Sequence, residues 1–371
     1  MRDVFARLSL GGTRKVPTSL RRTPLVSVVI PCYNYGRYLR QCVDSVRNNQ
    51  PGIELDIVIV DDASTDDTRR IADELKTKYQ GTRVLSHPVN LGHIATYNEG
   101  LAAAVGDYVL LLSADDLVTA GALSRSAALL DAEPGIGLVY GRAIDFYGEP
   151  PASRTGSPTW ITWKGLDWLR GRCRLGYNVV PTPTAMMRTS VLRSVGGYRA
   201  DLPHAGDFEM WLRAAAVSDV GFLYGVDQGL YRCHDKNMNS NMFASGTDLG
   251  QLIDLRQRMQ SFEAVFAGVG GGLAEADELL AAARATLAKK ALWTNNYAYA
   301  RGKRNFPYAE FETFARKTVP DIMNSSAGRA YARRKRLGLL RMPLHPLWAP
   351  AAFAARLRQG ILQWRYQTIG V

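Results

Sequence analysis

The sequence predicts an α/β protein, with a Rossmann-like, mostly parallel sheet covered by helices on both faces and an α-helical C-terminal extension. Two observations carry this. Short, continuously apolar, β-branched runs alternate with amphipathic stretches over roughly the first 140 residues. Unbroken apolarity, as opposed to strict alternation, marks strands buried on both faces. Beyond about residue 245 the strand-like runs stop, and Ala- and Leu-rich stretches take over.

The elements follow in order. Val26-Ser-Val-Val-Ile30 is the first strand. Residues 36–49 come next, with Tyr38, Cys42, Val43 and Val46 spaced for one helical face. Ile57-Val-Ile-Val60 is the second strand. Ser64 is placed to cap the following helix, in which Ile71, Leu75 and Tyr79 recur every four residues. Arg83-Val-Leu-Ser86 is the third strand, and residues 93–105 form an Ala-rich helix. Tyr108-Val-Leu-Leu-Leu112 is the fourth strand, followed by a helix over about 119–132, and Gly137-Leu-Val-Tyr140 is the fifth. Gly229-Leu-Tyr-Arg232 is strand-like. Helices are expected over 273–300 and 308–317. Residues 351–366 predict an amphipathic helix with Phe353, Leu357, Ile361 and Trp364 on one side. The expected organisation is a basic segment over 1–23, a main domain over 24–245 and a helical, basic region over 246–371.

Composition narrows the function. With 371 residues, 46% of them hydrophobic, the chain has ample material for a core. Its net charge of +12 is carried by the ends, +5 over residues 1–24 and +9 over 322–371, which leaves the middle near −2. A nucleic-acid groove would put its charge on the folded body. Basic ends instead suit an anionic membrane surface, or are simply solvated tails. Cys32, Cys42, Cys173 and Cys233 form no CxxC pair, which suits a reducing compartment. No secretory signal and no run of about 18 apolar residues is visible, so a cytoplasmic protein is expected, peripheral on the inner membrane face if the basic ends bind lipid. Gly268-Val-Gly-Gly-Gly272 lacks a preceding strand and a complete GxGxxG, so no dinucleotide site is expected there.

Ligands of such sheets bind at the carboxyl ends of the strands. Three polar tips lie there: Pro31-Cys-Tyr-Asn34, Asp61-Asp-Ala-Ser-Thr-Asp66 and Ser113-Ala-Asp-Asp116. Each alone reads equally as a turn or helix cap. Together they bring several carboxylates to one sheet edge, where mutual repulsion calls for a cation. Mg²⁺ and Mn²⁺ prefer oxygen ligands, and Mg²⁺ typically takes one or two carboxylates plus substrate phosphates. That points to a nucleotide diphosphate.

In these pieces the chain resembles a family 2 glycosyltransferase of the GT-A fold. The resemblance spans roughly residues 24–245. It rests on Val26-Ser-Val-Val-Ile-Pro-Cys-Tyr-Asn34, Ile59-Val-Asp-Asp-Ala-Ser-Thr-Asp66, Asn90-Leu-Gly92 with Asn98, and Leu112-Ser-Ala-Asp-Asp116. Gly196-Gly-Tyr198, Gly206-Asp-Phe-Glu-Met-Trp-Leu-Arg213 and Tyr231-Arg-Cys-His234 extend it. The resemblance implies an inverting transfer from a nucleotide-diphosphate sugar, a UDP-sugar first, to a glycan or lipid-linked acceptor in surface polysaccharide or glycolipid synthesis. It implies that Asp62 hydrogen-bonds the nucleobase in a pocket lined by Pro31, Tyr33 and Asn34. Asp115 and Asp116 form the DxD-type motif and hold a divalent metal (Mn or Mg), Asp115 also meeting the donor. His234 ligates the metal or contacts the diphosphate, and Asp207 is the catalytic base, with Glu209 as its rival. The family often has Asp where this chain has Ser113, so one carboxylate is missing from the motif. Trp160, Trp163 and Trp168 are read either as core or as an acceptor groove, and Arg188 either as a surface residue or as a phosphate contact. A nucleotidyltransferase and a non-catalytic glycan-binding scaffold are the alternatives. The first is disfavoured because Cys32-Tyr-Asn-Tyr35 replaces a Gly-rich basic loop.

Overall fold

The computed structural model describes residues 12–235, 237, 247–336, 346 and part of 353–371. The chain divides into two compact units. Unit 1 comprises residues 1–169, 179–234 and 367–371; unit 2 comprises 170–178 and 235–366.

Unit 1 is built on one mixed sheet, ten-stranded among the described residues. Its strands are β1 (Thr13–Lys15), β2 (Leu25–Cys32), β3 (Glu54–Asp61), β4 (Thr82–Ser86), β5 (Tyr108–Leu111), β6 (Leu117–Val118), β7 (Ile136–Phe146), β8 (Thr159–Trp163), β9 (Met186–Arg188) and β10 (Asp219–Arg232). The order is β1-β8-β10-β7-β9-β5-β2-β3-β4, with β6 paired to β10. β2 runs parallel to both β3 and β5, β3 is parallel to β4, and β7 is parallel to β10. Short β9 joins the halves in antiparallel register with β5 and β7. The carboxyl ends of β2, β3 and β5 therefore share one edge. The strands are continuously apolar because both faces are covered: Val28, Val29, Ile57, Ile59 and Val60 are fully buried.

The helices of this unit are α1 (Gly36–Arg47), α2 (Thr68–Lys78), α3 (His93–Ala103), α4 (Ala122–Ala132), α5 (Gly165–Leu175), which runs on into unit 2, α6 (Thr189–Val195) and α7 (Gly206–Val217). The expected faces of α1 and α2 are largely the buried ones, with Cys42, Val43, Val46, Ile71 and Leu75 in the core, whereas Tyr38 is half-buried against His234. Three readings change. Ser64 does not cap α2; its Oγ accepts from the Asn34 amide at 2.9 Å, and Asp66 Oδ1 accepts from the Thr68 amide at 2.9 Å. The helix expected from 119 starts at Ala122, because Leu117–Val118 pairs with β10 and Gly121 turns at φ 72°. Trp160, Trp163 and Trp168 are core, at most 2% exposed, so they line no acceptor groove. Burial and, for Trp168, an indole N–H donated to the Tyr140 hydroxyl at 3.2 Å account for them.

Two of the basic residues near the start are spent on this unit's own acids. Lys15 pairs with Glu133 at 2.5 Å, and Arg22 with Asp107 and Asp131 at 2.8 and 2.9 Å. Unit 2 is helical, with α8 (Asp248–Ala267), α9 (Ala276–Ala300), α10 (Tyr308–Thr318) and α11 (Ser326–Arg336). Thr247 caps α8 by accepting from the Gly250 amide. The long α9 packs on α8, α10 and α11 through Leu279, Leu287, Ala291 and Leu292. The described residues between 353 and 365 are helical, as the spacing predicts. No described helix is long and apolar enough to cross a membrane.

Candidate active site

The tip after β5 turns tightly, with the Asp116 amide donating to the Ser113 carbonyl at 3.0 Å. This turn buries both carboxylates, Asp115 at 5% and Asp116 at 2% exposure. β10 ends opposite and supplies the partners. The Arg232 amide donates to Asp116 Oδ1 at 2.9 Å, and Arg232 Nε donates to the Asp115 carbonyl at 2.8 Å. His234 Nε2 lies 3.0 Å from Asp115 Oδ2. The His234 ring stacks on Tyr38 with centroids 5.3 Å apart and meets the edge of Tyr35 at 5.9 Å. Burial pushes both carboxyls up, Asp116 well above the usual range and helped there by the Asp115 charge. Two adjacent buried acids thus sit where a positive charge would be welcome.

These residues fit a hard cation in part. Asp115 Oδ2 and His234 Nε2 are both ligand atoms, and 3.0 Å is about the separation of neighbouring ligands around an octahedral ion with bonds of roughly 2.1 Å. Asp116 already spends one oxygen on Arg232. No group of three His, Cys, Asp or Glu side chains able to hold a cation occurs among the described residues. Any ion there needs oxygens from another source, as a diphosphate provides.

The tips after β2 and β3 are tied together. The Asp62 amide donates to the Cys32 carbonyl at 2.9 Å. Asn34, at φ 58°, accepts at Oδ1 from the Thr65 amide at 2.8 Å and the Asp66 amide at 3.3 Å. Its side chain therefore shapes the loop. Pro31 is buried, and Tyr33 is 46% exposed. The Asp62 carboxylate is buried and accepts from the amides of Leu91 and Gly92 at 2.8 and 3.0 Å, and it faces His87 Nδ1 at 2.6 Å.

Asp207 lies in the first turn of α7 and is half-buried, its Oδ2 accepting from Thr182 Oγ1 at 3.3 Å. Glu209 is not an equivalent group. Its two oxygens take Arg213 Nε and Nη2 at 2.8 Å each, and Arg213 also donates to the carbonyls of Gly196 and Gly197. Glu209 is a 1%-exposed structural ion pair. Tyr97 lies between the acidic clusters: burial first, then the charges of Asp115 and Asp207, push its phenol up. Arg188 is pinned by the carbonyls of Leu130 and Ile136, away from any phosphate role.

Sequence reasoning missed Arg232, His87, Glu99 and Tyr97. Arg232 and Tyr97 stand in or beside recognised pieces, but nothing in the pattern says that their side chains turn inward.

Comparison with known proteins bears on the family and the fold. A family model described as Glycosyl transferase family 2 matches residues 27–196. A glycosyltransferase of Haemophilus influenzae, itself uncharacterized, is 28% identical over 228 residues, 60% of this chain and 69% of that one. A chondroitin synthase of Escherichia coli is 28% identical over 55% of this chain, which spans only 28% of that longer protein. The fold matches a Pyrobaculum calidifontis mannosyltransferase, PcManGT, in complex with GDP-Man and Mn²⁺, at TM-score 0.59 and 17% identity, covering 98% of this chain and 89% of that one. It also matches residues 1–349 of S. aureus TarS in complex with UDP-GlcNAc, at TM-score 0.53 and 17% identity, covering 84% and 91%.

Proposed function

We propose that this chain, which matches a Glycosyl transferase family 2 model over residues 27–196 and shares the fold of a mannosyltransferase, moves a sugar from a nucleotide-diphosphate donor to an acceptor hydroxyl, inverting the anomeric carbon. The observation that supports this most is the Asp115–His234 pair at 3.0 Å, buttressed by Arg232 and set on the sheet edge beside the Asp62 pocket. In this reading Asp62 meets the nucleobase while Pro31, Tyr33 and Asn34 line the pocket. Neighbours of this fold hold GDP-Man and UDP-GlcNAc, which favours a nucleotide sugar; a UDP-sugar is our choice. Asp115 and His234 would hold the cation, with Asp116 adding negative charge beside them and the donor's diphosphate supplying further oxygens. Bound there, a divalent cation offsets charge on the departing diphosphate.

Asp207 takes the proton from the acceptor hydroxyl. The acceptor oxygen bonds the anomeric carbon as that carbon's bond to the diphosphate oxygen breaks, and the electron pair leaves with the diphosphate. The ion pair with Arg213 favours Asp207 over Glu209 for this role. The test is turnover of Asp207→Asn: general-base loss predicts a drop of about 10²–10⁴-fold, and a drop below about tenfold rejects the assignment. Screening UDP-, GDP- and TDP-sugars for cation-dependent hydrolysis identifies the donor. Absence of turnover with every nucleotide sugar supports the glycan-binding scaffold instead.

The acceptor is a glycan or lipid-linked glycan of surface polysaccharide or glycolipid synthesis, and the enzyme works at an anionic membrane surface. Phe353, Leu357, Ile361 and Trp364 support this, forming one apolar stripe on a helix and being 44–70% exposed. Residues 322–371 contain nine basic residues and no acid, which suits anionic lipid in particular.

A further inference from the structure

His87 follows β4 in Ser86-His-Pro-Val-Asn-Leu-Gly92, and its amide donates to the Asp61 carbonyl at 2.9 Å. Its ring is buried, 4% exposed, and touches a carboxylate at each end: Nδ1 is 2.6 Å from Asp62 Oδ1 and Nε2 is 2.6 Å from Glu99 Oε2. Asp62 comes from the end of β3 and Glu99 from α3; these are the charged groups that face the ring. A neutral imidazole carries one N–H. Its other nitrogen would turn a lone pair onto a carboxylate oxygen at 2.6 Å, a repulsion that Glu99, 47% exposed, would escape by swinging into water. With Asp62 and Glu99 both ionised, each of these contacts is satisfied by an N–H donor, which takes a ring protonated on both nitrogens.

The bridge has a mechanical consequence. The same Asp62 carboxylate accepts from the amides of Leu91 and Gly92, and Asn90 Nδ2 reaches the Asp62 carbonyl at 3.4 Å. Gly92, at φ 85°, precedes α3, which carries Glu99. The imidazolium thus closes a ring from Asp62 through the 90–92 turn and α3 back to Asp62.

We propose that His87 is a positioning residue of the donor pocket: as an imidazolium it locks Asp62 and the 90–92 turn in the orientation that receives the nucleobase, so that donor affinity follows its charge. This rests on the reading of the Asp62 pocket as the nucleotide site. A carboxylate that reads a base must be ionised and fixed, and the bridge secures both. Burial opposes the charge on His87, but its two carboxylate bonds win and hold its pKa above the usual 6.5. Asp62 is held below the usual 3.8 by His87 and the two amides, against the opposing effect of burial. The lock is therefore intact between the depressed Asp62 value and the raised His87 value, and it is lost as pH rises through the latter.

The experiment is calorimetric titration of the full-length protein with UDP and with GDP across pH 6–9. Nitrogen-15 NMR of the histidine rings of the same protein runs alongside. Wild type should show a ring with both nitrogens protonated at neutral pH, and nucleotide Kd should rise about tenfold through that ring's titration. In Glu99→Gln, which removes one anionic partner at the surface, the His87 transition and the Kd inflection should move together to lower pH by about one unit. His87→Lys, which keeps a charge, should retain more affinity at high pH than His87→Gln. If nucleotide binds with one pH profile in wild type and Glu99→Gln, the inference is overturned and the donor reading stands. A ring singly protonated at pH 6 overturns it as well. If neither nucleotide binds although the ring is doubly protonated, the donor reading fails and carries the inference with it.

Discussion

Asp207 and Glu209 are two residues apart at one helix start, and their surroundings separate them. Asp207 is half-buried with a threonine partner, whereas Glu209 is locked on Arg213. Glu209→Gln should cost about 3–5 kcal/mol in urea unfolding, since it leaves Arg213 buried beside a neutral group, while turnover per folded molecule stays near wild type. Asp207→Asn should do the reverse. Asp115 and Asp116 make a pH prediction. Their carboxyls are held up by burial, so ionisation opposes folding and this opposition grows as pH rises through their raised values. A bound cation would remove it. Mn²⁺ with UDP should therefore raise Tm more at pH 7.5 than at pH 5, and Asp115→Asn should abolish the difference.

At the scale of elements, α3 carries Tyr97 and Glu99 to the site. It reaches the sheet through Gly100. A Cβ there would lie 2.3 Å from Val29 Cγ1 and 2.9 Å from Val60 Cγ2, inside contact distance. Gly100→Ala should therefore cost about 1–3 kcal/mol in unfolding and weaken nucleotide binding, because the helix must lift from β2 and β3. The central strands were legible because both their faces are buried and apolarity is continuous. β1, β6 and β9, two or three residues long, carry too short a pattern to read, whereas β8, as long as β4, was missed because its tryptophans read equally as core or as a binding surface. The α2 cap was misread because Ser64 and Asp66 both suit it, and only the position of Asn34 decides between them.

For the whole molecule, the charge distribution changes meaning once the fold is known. The N-terminal basic residues Lys15 and Arg22 neutralise acids of unit 1, so they are not available to a membrane. The C-terminal charge and the exposed stripe at 353–364 are the stronger candidates. The protein should co-sediment with vesicles containing anionic phosphatidylglycerol, and less so with purely zwitterionic ones. Leu357→Ser with Trp364→Ser should reduce binding at least tenfold with Tm unchanged. Added salt should weaken the wild-type interaction. Equal sedimentation of the double variant rejects the membrane surface.

The sequence by itself determined the α/β class, the places of the central strands along the chain and which acids stand at strand ends, because burial period and turn chemistry are local properties. It also placed Asp62, Asp115, Asp116, Asp207 and His234 on the motifs of one family. Tertiary structure alone decided their partners. Arg232 reaches the Asp115–Asp116 turn across more than a hundred residues, and His87 becomes a bridge only when β3, β4 and α3 converge. It likewise consigned the three tryptophans to the core and Glu209 to Arg213. Hydrogen bonding and desolvation depend on what lies opposite in space, and spacing along a chain does not encode that.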